Sequence, residues 1–233
     1  MKLHRRDFLK ASALPMMGLS LTSKLSLAAS QKPGRPNILL VITDQHHHKA
    51  FGCMGNKYLN TPNFDEIIKG GVSFRNAYST NPVCIPARSS MFTGRMPTET
   101  GNWFNSARSG VIEKGMPTLG QWLSDHGGYE SVYAGKWHVP VCHDFNIEGF
   151  DVLTAGQHHW GDVSDEMVSV ACSNYIYNRC MEKDKQQQPF FMVCSLIQPH
   201  DICKWLNINT NNKDTFRYAD VAENTPELPG NFD

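Results

Sequence analysis

The densest chemistry in the sequence lies in Cys84-Ile85-Pro86-Ala87-Arg88-Ser89-Ser90-Met91-Phe92-Thr93-Gly94-Arg95. Pro86 has a backbone angle suited to the first turn of a helix, so a helix is predicted to begin near it. Cys84 then stands just before that turn, where unpaired N–H groups and the positive end of the helix dipole gather. Arg88 is four residues on and returns to the same side of the turn. A thiol, a guanidinium and a helix N-terminus thus converge on one point, a site suited to a nucleophile facing a tetrahedral oxyanion. Taken without its surroundings, the same stretch also describes an inert cysteine buried ahead of a helix.

Three more polar clusters each close an apolar run. Asn37 to Thr43 ends at Asp44-Gln45-His46, and oxygen donors at the end of a strand suit a hard divalent cation. Tyr129 to Ala134 leads into Gly135-Lys136-Trp137-His138. Pro189 to Leu196 leads into Gln198-Pro199-His200-Asp201. Each cluster alone has an ordinary reading: a turn aspartate, a solvated lysine, a structural histidine. His46-His47-His48 and His158-His159 read as well as polar loops as they do as cleft lining, and no role is assigned to them. The Met and Trp residues read as packing.

Together these motifs resemble the type I, formylglycine-dependent sulfatases of the alkaline phosphatase superfamily. The pattern CxPxR with a TGR tail is present as Cys84, Pro86, Arg88, Thr93, Gly94 and Arg95. The GKWH and PH motifs match Lys136, His138 and His200. The resemblance implies that Cys84 is oxidised by a separate maturation enzyme to a formylglycine whose hydrate attacks sulfur. It implies that Arg88 belongs to the catalytic group and that Lys136 neutralises the sulfate and contacts the formylglycine. It also implies that His138 assists release of sulfate and that His200 binds sulfate and is a candidate acid for the leaving alcohol. A divalent cation, Ca2+ with Mg2+ or Mn2+ as alternatives, is expected on Asp44, Gln45 and residue 84. Many sulfatases carry two aspartates where this chain has Asp44-Gln45, a variant that resembles some sulfatases and phosphonate monoester hydrolases. The expected substrate is a carbohydrate or aryl sulfate ester. Phosphonate or phosphate ester hydrolysis and an inactive, truncated fragment are the competing readings. The remaining metal ligands and a further sulfate-binding lysine find no match before Asp233, so the chain is read as the N-terminal part of a catalytic domain.

These residues need a scaffold. The run 37–43, apolar on both faces, predicts a buried parallel strand. A short helix is expected over Thr61–Gly71, with Thr61 as cap and Pro62 in its first position. A strand is expected over Val72–Tyr78 from its alternation, and a helix over Thr118–His126 closed by Gly127-Gly128. A strand over Tyr129–Ala134, a long helix over Asp162–Lys183 and a strand over Pro189–Leu196 follow. Strand and helix alternate, which predicts an α/β fold with a mostly parallel sheet flanked by helices, as in the alkaline-phosphatase-like sulfatases. In such sheets sites form at the carboxyl ends of strands.

The bulk properties fit. A chain of 233 residues, 40% hydrophobic and 19% charged, is long enough for a substantial core and is not disordered in composition. Five of the 22 basic residues but one of the 22 acidic residues fall within residues 1–29, leaving 17 and 21 beyond them. A mildly acidic body offers no surface for nucleic acid, so an anionic substrate must be held by a focused local site. Arg5-Arg6-Asp7-Phe8-Leu9-Lys10, a modestly apolar stretch and Ser26-Leu27-Ala28-Ala29 read as an export signal over residues 1–29, either twin-arginine or ordinary secretory. Residues 30–36 read as a linker and 37–233 as the catalytic portion of an exported protein, periplasmic or secreted. No apolar run reaches membrane-spanning length, so no stable anchor is expected. The seven cysteines match no zinc spacing. An exported protein allows some of them to pair, in combinations the sequence leaves open, and Cys84 is the candidate for the one left over.

Overall fold

A computed structural model describes residues 34–106, 115–140, 146–155, 161–182 and 187–203. The export segment, Cys142, His158-His159 and the tail after Cys203 lie outside the described residues. The described residues from Pro36 onward form one unit. Its strands are β1 (Ile38–Asp44), β2 (Glu130–Gly135), β3 (Asp151–Ala155) and β4 (Phe190–Pro199). Its helices are α1 (Pro62–Gly70), α2 (Cys84–Thr93), α3 (Pro97–Thr100), α4 (Leu119–Trp122, continued by a π turn Leu123–Gly127) and α5 (Gly161–Met181). The strands form one sheet in the order β1-β4-β2-β3, and every pair in it is parallel.

Parallel strands need crossovers on the faces of the sheet, and helices supply them. β2 and β4 are therefore buried on both sides. Tyr133, Phe191 and Val193 pack with Phe92 of α2, Trp137 and Phe150 on one face. Ala134, Phe190, Met192 and Cys194 pack with Val168 and Cys172 of α5 on the other. Arg179 of α5 pairs with Glu130 at the start of β2, with Tyr175 alongside.

Two expectations are corrected. The run 37–43 forms a strand, but among the described residues it pairs with β4 alone and lies at the sheet edge, with Leu39 49% and Val41 44% exposed. Alternation over Val72–Tyr78 does not yield a strand: Val72, Phe74 and Tyr78 are 80–90% exposed. A period of two makes a strand only where a neighbour accepts its ladder, and no described strand flanks this segment. β3 was not expected at all. The expected helices and the strands that become β2 and β4 match to within a few residues. Thr61 differs in detail: its hydroxyl donates to Asp65 Oδ1 and accepts from Gly52 N rather than capping α1 directly.

Candidate active site

The parallel sheet brings three strand ends to one edge. β1 ends on Asp44, β2 on Gly135 next to Lys136, and β4 on Pro199 next to His200. Gly135 has φ +102, and a Cβ there would meet Ser195 O at 1.9 Å. Only glycine lets β2 turn so tightly against β4. The turn lets Lys136 N donate to Ser195 O (3.0 Å) and sends the lysine side chain inward.

α2 starts at Cys84, two residues earlier than Pro86, so Cys84 is the first residue of the helix rather than standing just before it. Val83 at its N-cap offers no side-chain cap. That role falls to Asn105, whose Oδ1 accepts from Ile85 N at 2.7 Å. Arg88 projects from the first turn into the protein and is 4% exposed. Its guanidinium donates to Asp44 Oδ2 (2.9 Å), Ser195 Oγ (2.9 Å) and the Lys136 carbonyl (2.7 Å). The same carbonyl accepts from Tyr133 Oη (2.6 Å) and Ser195 Oγ (2.8 Å). Lys136 Nζ pairs with Asp44 Oδ2 at 2.9 Å and lies 4.0 Å from Cys84 Sγ. Cys84 Sγ in turn donates to Asp44 Oδ1 at 3.7 Å.

One carboxylate thus faces two buried cations. Burial alone would push the Asp44 carboxyl up, but Lys136 and Arg88 outweigh it and hold it below the usual carboxylate range. His200 shifts the other way relative to charge: burial and then the positive Lys136 favour the neutral imidazole, against Asp44 and Asp201. The ligand atoms of Asp44, Cys84 and His200 all lie within 4.8 Å of one another.

A cleft of about 540 Å³ opens over this cluster, lined among others by Asp44, Gln45, Cys84, Arg88, His200 and Cys203. Gln45 is exposed, with a left-handed backbone (φ 57), and its Oε1 accepts from Cys203 Sγ at 3.1 Å. Lys136 is not a cleft-lining residue and joins the site through its ion pair with Asp44. His138, with φ 52, follows two residues later and is not among the cleft-lining residues. Of the sequence candidates, Asp44, Gln45, Cys84, Arg88, Lys136 and His200 are brought together by the contacts above, and His138 is half-buried two residues beyond Lys136. Asp44 Oδ1 and Gln45 Oε1 offer oxygens suited to a hard cation, because both counter-charges of Asp44 sit on Oδ2.

Sequence reasoning missed Ser195, Tyr133, Asn105 and Asp165. A serine inside the apolar run of β4 was the one visible signal. Asp165 of α5 accepts from Ile197 N (2.7 Å) and Gln198 N (2.8 Å), anchoring the end of β4 just ahead of His200.

The sequence profile of the Sulfatase family matches residues 36–225. The chain belongs to the sulfatase family. Its fold is the alkaline-phosphatase-like α/β arrangement of that family. It is similar to the uncharacterized sulfatase YidJ of Escherichia coli (30% identity, covering 71% of this chain and 39% of the relative). It is also similar to an N-acetylglucosamine-6-O-sulfatase of Bacteroides thetaiotaomicron (30% identity, 80% and 34%). A solved 2-O GAG sulfatase superposes with a TM-score of 0.65 at 26% identity, over 84% of this chain and 42% of that one. The phosphonate monoester hydrolase of Agrobacterium radiobacter shares the fold (TM-score 0.53, 17% identity, 71% and 41%). The chain spans 34–39% of the length of these two curated relatives. No helix among the described residues is long and apolar enough to cross a membrane.

Proposed function

We propose that this sulfatase-family chain carries the nucleophile and the anion-binding residues of an exported sulfate-ester hydrolase acting on sulfated saccharides. One observation carries the reading: Cys84 at the mouth of α2 lies beside a buried Arg88–Asp44–Lys136 lock and within reach of His200.

In this reading a maturation enzyme converts Cys84 to formylglycine. The hydrated aldehyde supplies a hydroxyl to attack sulfur and a second to help release the sulfate. Lys136 and Arg88 compensate charge developing on the sulfuryl oxygens, in a setting where burial strengthens the attraction. Arg88 acts in part by holding Asp44 and the Lys136 backbone in register. His200 binds the sulfate and is the candidate acid that gives the leaving alcohol its proton. His138 is assigned to proton removal when sulfate departs. A divalent cation, Ca2+ with Mg2+ or Mn2+ as alternatives, would be held by Asp44 Oδ1, Gln45 Oε1 and residue 84, and would polarise the sulfate ester. Saccharide sulfates are favoured because similar proteins are named for them, among them the N-acetylglucosamine-6-O-sulfatase.

The test has two arms. Mass spectrometry of the peptide containing residue 84, from the native host, should show replacement of the thiol by an aldehyde. The native protein should release sulfate from an aryl sulfate, and Cys84→Ala should abolish this. An unmodified thiol together with no sulfate release would overturn the proposal. The neutral Gln45 beside Asp44 favours one second reading, a phosphonate ester hydrolase, and parallel aryl phosphonate assays decide between them. Export is tested by fractionating the native host: a cytoplasmic, unprocessed chain would refute it.

A further inference from the structure

The face of the sheet opposite α2 holds a pair of cysteines that the proposed chemistry does not use. α5 turns Val168, Cys172, Tyr175 and Ile176 inward, a spacing of four, three and one residues that marks one face of a helix. β4 presents Phe190, Met192, Cys194 and Leu196 to that face by its period of two. Cys172 is 6% and Cys194 7% exposed, within the same buried cluster. Both are thiols in the structure, and they share one buried cluster across the α5–β4 interface, where their side chains act on each other. A helix face and a strand face, each with its own periodicity, thus bring two sulfurs together across the packing interface.

We propose that Cys172 and Cys194 are a disulfide-forming pair that staples α5 to β4 when the chain folds in an oxidising compartment. Each thiol gives up a proton and the two sulfurs share a new bond. The two electrons reduce the disulfide of a thiol–disulfide exchange partner, such as oxidised glutathione or a dithiol oxidase, to thiols. With both sulfurs buried, exchange takes place while α5 is undocked, and the closed bond is then shielded from reductant. The staple has a local consequence: Asp165, seven residues before Cys172 on α5, anchors Ile197 and Gln198, which precede His200. A second consequence rests on the proposed function. Cys84 must stay an unpaired thiol to be matured, and pairing the two core cysteines with each other withdraws them as competing partners.

The experiment refolds the full chain in a buffer of reduced and oxidised glutathione, alkylates it in denaturant without reductant, and maps the digest by mass spectrometry. The expected result is one species in which the Cys172 and Cys194 peptides are linked, two hydrogens lighter than their sum, and separable by reduction. The oxidised protein should melt about 5–10 °C above the reduced one, and the Cys172→Ser/Cys194→Ser double variant should lose that difference. Recovery of both peptides as alkylated thiols, or a link from either cysteine to another, overturns the proposal. Residue 84 is read from a separate peptide of the natively matured protein, so failure of the staple and failure of the formylglycine reading are distinct results.

Discussion

Arg88 and Arg95 sit seven residues apart in the same signature and meet carboxylates at almost the same distance, 2.9 Å for Asp44 and 3.1 Å for Glu99. Their side chains differ in exposure, 5% against 55%. Coulomb attraction at equal separation depends on the medium, and these two pairs occupy opposite extremes of it. Arg88 is also a fork with three separate acceptors, at the end of β1, just past β2 and within β4, so it fixes the relative positions of the three strands. Arg95 and Glu99 lie on one short stretch and fix nothing distant. The comparison separates an arginine that builds a site from one that decorates a helix end.

The largest effect expected is therefore from Arg88→Ala. It leaves Asp44 with one counter-charge and strips a donor from Ser195 and from the Lys136 carbonyl. Removing one partner of a buried pair costs about 3–5 kcal/mol, and chemical denaturation should read a loss in that range. Arg88→Lys keeps the charge but not the fork, and should recover less than half of the loss. A change no larger than that of an exposed arginine would mean the lock is not buried in solution.

Asp165→Ala is expected next. Two backbone N–H groups at the end of β4 lose their acceptors, at about 1–3 kcal/mol for a buried donor left unsatisfied. Asp165→Asn keeps one acceptor and should fall between. If Asp165 positions His200, sulfate-ester turnover should drop further in the alanine variant than its stability predicts, with the asparagine variant partly restored.

The pH dependence is smaller and has a definite sign. Asp44 is held below 3.8, so its contribution is full above that value and is lost as pH falls through the native pKa. His200 is held below 6.5, so between its native value and 6.5 the unfolded chain binds the extra proton and stability falls as pH drops. Both act in the same direction. Unfolding monitored from about pH 8 down to about pH 2 should show stability declining first below about pH 7, and His200→Gln should remove that first decline while leaving the acid limb of Asp44, which begins only below 3.8.

The strand ends were legible in the sequence because an apolar run followed by a polar cluster is a local pattern. Asp44, Lys136 and His200 were found that way, and Cys84 and Arg88 from helix geometry. What was not legible is pairing. Ser195, Tyr133 and the Lys136 carbonyl become partners of Arg88 only when the sheet assembles, and Asn105 caps α2 from 20 residues away. Val72–Tyr78 has the alternation of a strand and lacks a ladder, whereas Asp151–Ala155 has a weak pattern and gains one from β2. The outer face of β1 shows the same limit: Leu39 and Val41 read as core residues, and which side of a strand is covered is decided by what packs there.

Arg95→Ala should have the smallest effect, although TGR is part of the same signature as Arg88. The Glu99 carboxylate is held below its usual range first by the Met96 N–H, at 2.9 Å, and only then by Arg95. Its main task is therefore to satisfy a backbone donor at the start of α3, a task that does not need the arginine. Removing Arg95 leaves that bond in place and exposes no buried charge, so stability and sulfate release should match the parent protein. Glu99→Ala removes the cap itself and should be the more damaging of the two. If Arg95→Ala proved the worse variant, the exposed pair would be acting on something beyond α3, and the contrast with Arg88 would have to be redrawn.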